Sequence, residues 1–174
     1  LQGLPEALSA HLALFSSFFV SRTRDATATF CAYIRGLFQS ERANMLRMSE
    51  VNDVDHQAMQ HLLTAGCVDW AGFRDTIARE TDALLGGSAS VLLIDESGFS
   101  KKGEASAVVA RQWNGRLGKV DNCQVGVFAT LCRGEMASLI DSRLYLPKAW
   151  AEDAARCRKA AIPKDAQRYR RKTD

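Results

Sequence analysis

Ser90-Val91-Leu92-Leu93-Ile94-Asp95-Glu96-Ser97-Gly98 is the stretch on which the fold turns. Before it, apolar residues recur at helical spacing. Within it they run without interruption, straight after the glycine pair Gly86-Gly87. A short continuous apolar run behind a glycine break predicts a strand buried on both faces. Polar residues begin at Asp95, which sets that residue at the strand's carboxyl end. In open α/β sheets that edge is where ligands bind.

Upstream the pattern is helical. Leu8, Leu12, Phe15, Phe18 and Phe19 mark one face of a helix over residues 6–21. Phe30, Ile34, Leu37 and Phe38 mark a second over residues 27–48, in which Gly36 implies a close packing contact. Asp53 is positioned to cap a short helix carrying Met59, Leu62 and Leu63. Asp69 is positioned to cap another, with Trp70, Phe73, Ile77, Thr81 and Leu84 inward and Gly86-Gly87 as its stop. Downstream, alternation over residues 123–131 predicts a second strand. Residues 136–146 predict a third, with Arg133-Gly134-Glu135 as the hairpin turn and Pro147 as the end. The expected layout is a helical region over residues 1–87, then a region over residues 88–174 that is strand-rich to about residue 150 and helical or loose after Trp150.

The 174 residues suffice for one ordinary domain or for two small units, and 47% hydrophobic with 25% charged residues is a globular composition. No apolar run reaches the roughly 18 residues of a membrane span. The apolar stretch over residues 12–20 lacks the flanks of a signal peptide and reads as a buried helix face. Cys31, Cys67, Cys123, Cys132 and Cys157 are odd in number, widely spaced and free of any CxxC pair, which argues against a disulfide framework or zinc site and fits a reducing cytosol. The net charge is +3, but residues 156–174 alone carry eight Lys/Arg against Asp165 and Asp174. A chain that begins at Leu1 rather than Met and closes on that charged segment reads as cut at both ends.

Asp95 is the first chemical candidate. A strand-end carboxylate suits Mg²⁺, which takes one or two Asp/Glu oxygens together with phosphate oxygens; a loop-capping Asp is the plainer alternative. Lys101 and Lys102 follow closely, and Arg111, Arg116 and Lys119 extend the basic character around Trp113. Such a strip can cover DNA phosphates while the indole stacks on a base; a solvated loop with Trp113 in the core is the alternative. His56 and His61 miss the spacing of a helical metal pair. Ser97 and Ser100 lack a G-x-S-x-G turn, and Gly115-x-x-Gly118-Lys119 lacks the P-loop spacing.

Residues 92–103, Leu-Leu-Ile-Asp-Glu-Ser-Gly-Phe-Ser-Lys-Lys-Gly, resemble the first catalytic-aspartate segment of bacterial insertion-sequence transposases of the DDE class. The resemblance continues through residues 106–115, 118–127 and 141–150, and upstream through residues 33–37 and 41–45. It implies an α/β chain: a helical N-terminal region that contacts the element's DNA ends, followed by the first strands of an RNase H-like mixed sheet, truncated. It also implies DNA cutting and joining with Mg²⁺ (or Mn²⁺), two metals being held by Asp, Asp and Glu. Metals about 3.5–4 Å apart stabilise both the attacking and the leaving oxygen of an in-line displacement.

Asp95 aligns with the first family aspartate and is the implied catalytic metal ligand; Lys101, Lys102, Arg111 and Lys119, from the basic strip, are the expected phosphate contacts. The family's second aspartate and its glutamate lie beyond the Leu-Tyr-Leu-Pro segment at residues 144–147, and none of Asp141, Asp153 and Asp165 matches them. The expectation is therefore a transposase fragment that does not cleave DNA alone. It would be cytoplasmic and nucleoid-associated in a bacterium, and a homodimer on DNA. The competing readings are a non-catalytic DNA-binding remnant of a transposase and a decayed reading frame without activity.

Overall fold

The computed structural model describes residues 4–41, 44–64 and 66–171. Arg42, Ala43, Lys172 and Asp174, all within stretches read above, lie outside them. The chain divides into two compact units, Leu1–Thr76 and Ile77–Asp174.

The first unit is helical: α1 (Leu4–Ala13), a 3₁₀ turn (Ser16–Phe19), α2 (Thr27–Gln39), α3 (Met45–Asn52), α4 (His56–Thr64) and the first half of α5 (Trp70–Leu85). Its centre is aromatic. Phe19 stacks on Phe30 with ring centroids 4.0 Å apart, and Phe73 meets the edges of Phe19, Phe30 and Trp70. Phe19 and Phe30, the fully buried pair, each contribute about 1.5–3 kcal/mol. A second cluster joins Ala32, Met48 and Met59.

Three helix boundaries differ from the sequence reading. Residues 6–21 are not one helix, since α1 ends at Ala13, Ser16–Phe19 forms a 3₁₀ turn and Val20 is extended. Residues 27–48 form two helices rather than one, because Ser40 closes α2 in an extended conformation and Asn44 opens α3, its Oδ1 accepting from Arg47 N at 3.0 Å. Asp53 ends α3 in a left-handed conformation (φ 51°) instead of starting α4; Asp55, accepting from Gln57 N at 3.0 Å, takes the position expected of it. Asp69 does cap α5, accepting from Gly72 N at 3.0 Å. At the far end of α5 the inward residue is Leu85, 5% exposed, while Leu84 is 72% exposed. Gly86 and Gly87 stop the helix as expected, Gly86 N donating to Asp82 O and Gly87 adopting φ 124°.

The second unit holds four strands: β1 (Val91–Ser100), β2 (Ala110–Asn114), β3 (Lys119–Arg133) and β4 (Met136–Leu144). Every pairing is antiparallel and every one is to β3. The predicted hairpin between β3 and β4 is present, with Gly134 at φ 59°. After Pro147 come α6 (Lys148–Ala151) and α7 (Ala154–Lys159). Here Val108, Val109, Leu146, Trp150 and Cys157 form the buried cluster.

Three strand expectations change. β2 is a strand that the sequence pattern does not predict. β1 extends to Ser100, because residues 97–100 continue the ladder opposite Gly126, Val125, Gln124 and Cys123. Nor is β1 buried on both faces: Val91, Leu92, Leu93 and Ile94 are 51–66% exposed. Among the described residues β1 is also an edge strand, paired to β3 alone, and its apolar side chains are exposed rather than covered by a packed layer. The order of helices followed by a sheet, and the α/β class, are as expected.

Gly36 is the close contact its helix required: a Cβ there would lie 2.6 Å from Met48 Cβ. Gly36→Ala should cost about 1–3 kcal/mol by forcing α2 from α3. Gly103→Ala, with nothing within 4 Å, should leave the urea midpoint nearly unchanged. Equal midpoints for the two variants would contradict this packing.

Candidate functional site

Register assigns each candidate to a face of the sheet. Side chains opposite one another across an antiparallel ladder share a face, and neighbours along a strand alternate. Asp95 pairs with Phe128, which pairs with Ser142 on β4. The same face carries Leu93, Ser97 and Phe99 of β1, and Arg111 and Trp113 of β2 through their partners Asn122 and Val120. The opposite face carries Glu96, Gly98 and Ser100 of β1, Asn114 of β2, Lys119, Asp121, Cys123 and Val125 of β3, and Asp141 of β4.

Asp95 therefore lies within β1, not at its end, because the ladder continues for five more residues to Ser100. Its side chain is exposed, and Oδ1 accepts from the Glu96 backbone N–H at 2.8 Å. Further along the same face two aromatics are exposed, Phe99 four residues on in β1 and Trp113 opposite Val120; Phe99 is 46% exposed and Trp113 54%, which removes Trp113 from the core. Phe99 and Phe128 meet edge-on at 6.2 Å.

The basic candidates separate. Lys101, half-buried, follows the end of β1, its N–H donating to Asn122 O at 2.8 Å. Lys102 is exposed in the loop that follows, which Asn122 pins by donating from Nδ2 to Lys101 O and Gly103 O at 2.9 and 3.0 Å. Arg111 shares the Asp95 face. Lys119 falls on the other face, paired with Asn114.

That other face holds a polar cluster the sequence did not announce. Ser100 Oγ donates to Asp121 Oδ2 at 2.6 Å, and Asn114 Nδ2 approaches Ser100 Oγ at 3.4 Å. Asn114 is fully buried, and a Cβ on Gly98 would lie 2.5 Å from its Cγ and Oδ1. Only glycine lets the Asn114 amide cross β1 there. The Ser100 hydroxyl, and to a lesser extent the Asn122 backbone N–H, Lys119 and Asn114, hold the Asp121 carboxyl below the ordinary aspartate range.

A metal fits these residues incompletely. Asp95 offers a single carboxylate to its face, whereas Glu96, Asp121 and Asp141 belong to the other. Among the described residues no group of three His, Cys, Asp or Glu side chains is placed to hold a metal ion. The described residues therefore do not build a two-metal centre by themselves. His61 contacts Arg24 at 2.8 Å instead of a second histidine. All five cysteines are free, Cys123 and Cys157 being buried. Among the described residues no helix is long and apolar enough to cross a membrane.

Ser100→Ala should return the Asp121 pKa toward its ordinary value, read by NMR titration of the carboxyl. Because the folded-state pKa is depressed, this contribution to stability is present above the unfolded value of about 4 and disappears as pH falls through the folded value. The stability gap between the wild type and Ser100→Ala should thus be full at neutral pH and close in acid. A gap that widens on acidification would contradict the assignment.

The chain matches the family described as DDE superfamily endonuclease over residues 13–174. It is also similar to a probable transposase for insertion sequence element IS701 from Microchaete diplosiphon, 32% identical over 95 residues. That alignment covers 53% of this chain and 25% of the relative, so the chain matches about a quarter of the relative's length. No solved structure matches it. The family match spans both units and includes β1 with Asp95, and on that extent the chain belongs to the DDE superfamily endonucleases.

Proposed function

We propose that this chain acts in DNA transposition, as the portion of a transposase that supplies the first carboxylate of the nuclease centre and a surface for DNA. The observation that carries the reading is Asp95: an exposed carboxylate on a paired strand, within a chain whose family is that of DDE endonucleases. The β1–β3 ladder fixes its position, and catalytic carboxylates need such fixing because ångström-scale misplacement costs orders of magnitude in rate. Asp95 would bind a divalent cation, Mg²⁺ or Mn²⁺, whose chemistry is to stabilise charge on phosphoryl oxygens.

The face of the sheet that carries Asp95, taken along its length, favours a nucleic acid. Arg111 and the exposed aromatics Phe99 and Trp113 share the Asp95 face, and Lys101 and Lys102 stand at the end of its strand. Cations neutralise phosphates and aromatic rings accept bases, which together form the usual surface for a DNA strand. Lys119 would serve a phosphate from the opposite face. The helical unit would contact element ends, and the protein would work as a homodimer on DNA in the bacterial cytoplasm, associated with the nucleoid.

Mn²⁺ added to the isotopically labelled chain should broaden amide signals around Asp95 and across the ladder at Phe128, and Asp95→Asn should abolish that broadening. Broadening centred elsewhere, or unchanged in the variant, would refute the ligand role. The triple variant Lys101→Gln/Lys102→Gln/Arg111→Gln should weaken duplex binding on all sequences alike. It should lower the slope of log K against log salt by about 0.9 for each phosphate no longer neutralised. An unaltered slope would remove these residues from the interface.

A further inference from the structure

The basic segment at residues 156–171 is not a loose tail. Arg156 stacks on Trp150 with its guanidinium carbon 4.0 Å from the ring, and Nη2 donates to Glu104 O at 3.2 Å. Ala160 and Ile162 pack against the buried Trp150 cluster. Gln167 Nε2 donates to Ile162 O at 2.7 Å. Tyr169 then reaches the sheet, where its hydroxyl meets that of Tyr145 close to Glu96, and burial with this contact raises the Tyr145 pKa. Glu96 lies on the face opposite Asp95, and Tyr145 follows β4 with its N–H on Val125 O at 2.8 Å.

Along this anchored path Arg158, Lys159, Lys164, Arg168 and Arg170 are exposed, and among the described residues none makes an ion pair. Favourable placement at the C-terminal end of α7 accounts for Arg158 and Lys159. It does not account for Arg168 and Arg170, which follow the 3₁₀ turn Lys164–Ala166 in non-helical chain on either side of Tyr169. Like charges along one anchored segment repel one another, and ordering them beforehand reduces the entropy lost when an anion binds.

We infer that residues 158–170 form a second phosphate-binding strip, clamped to the sheet by Tyr169 and separate from the Asp95 face, for the backbone of a DNA duplex. The inference rests on the DNA reading above. It adds a surface which that reading does not use, and it makes the tail a reader of charge rather than of sequence.

The test is duplex binding by the full 174-residue chain, with a fluorescent duplex of arbitrary sequence titrated at several salt concentrations. Arg158→Gln/Lys159→Gln/Arg168→Gln/Arg170→Gln should lower the salt slope by about 0.9 per phosphate, so by about 3 to 4 if all these cations touch phosphate. Arg158→Lys/Arg168→Lys/Arg170→Lys, which keeps the charge, should retain the slope. Tyr169→Phe, which changes no charge, should weaken binding several-fold by releasing the clamp. A wild-type slope in the glutamine variant, with binding intact, overturns the strip and leaves the Asp95 face as the interface. Loss of slope in the lysine variant, or full affinity in Tyr169→Phe, overturns the clamped-charge account. A wild-type chain that binds no duplex at any salt overturns the DNA reading itself and the strip with it.

Discussion

The structure of the second unit depends on one strand. β1, β2 and β4 pair with β3 and with no other strand among the described residues, so β3 carries the whole ladder along its 15 residues. A single backbone hydrogen bond contributes only about 1 kcal/mol net. A ladder, however, fixes register as a unit, and a slip by one residue would exchange the two faces of a strand. For β1 that exchange would move Asp95 to the face of Asp121 and put Glu96 beside Phe128. The position of the candidate carboxylate is therefore a property of the β1–β3 register more than of its own neighbours.

What pins that register is steric as well as hydrogen-bonded. Gly98 lies under the buried amide of Asn114, and any side chain there would collide with it. On the other face, a Cβ at Gly126 would fall 2.8 Å from the Phe128 ring. These two glycines are cross-strand neighbours but a single register step apart, Gly98 opposite Val125 and Gly126 opposite Ser97. Each permits a large neighbour to lie flat on the sheet where only backbone can be tolerated. A β1–β3 pairing shifted by one residue would bring a β1 side chain under Asn114, whereas Gly126 stays beside Phe128 of its own strand. Glycine, usually a weakness in strands, here helps to specify the pairing.

Much of this is legible in the sequence, and the failures have identifiable causes. The α5 cap at Asp69, its stop at Gly86-Gly87 and the turn at Gly134 are readable because each is local chemistry: a carboxylate meeting free N–H groups, or glycine taking a positive φ. Asp53 and Asp55 are both plausible caps in the same loop, and composition does not separate a left-handed helix end from the start of the next helix. Ser97-Gly98 resembles a turn until the partner strand is known, which hides the second half of β1. β2 is short and mostly polar, so it gives no periodicity. The apolar run at residues 91–94 is recognisable as a strand, but hydrophobicity does not report whether another layer covers it. Asp95 itself can be found from the sequence. The division of its neighbours between faces cannot, since parity requires the pairing.

That division also shapes the electrostatics. Asp95 shares its face with Arg111 and aromatic rings, while Glu96, Asp121 and Asp141 lie on the reverse. Alternation thus separates two adjacent carboxylates by the thickness of the sheet, leaving Asp95 with no acidic neighbour in its own row of Phe128 and Ser142. A lone exposed carboxylate repels a phosphate backbone only weakly across solvent, and a bound cation would reverse the sign of that interaction. On the reverse face the acids have local partners. Asp121 accepts from Ser100, Asp141 lies 3.4 Å from the Arg143 Nε, and Glu96 adjoins the tyrosine pair that holds the basic segment. The acids on that face are thus engaged within the fold, whereas Arg168 and Arg170 beside Tyr169 keep their charge directed outward.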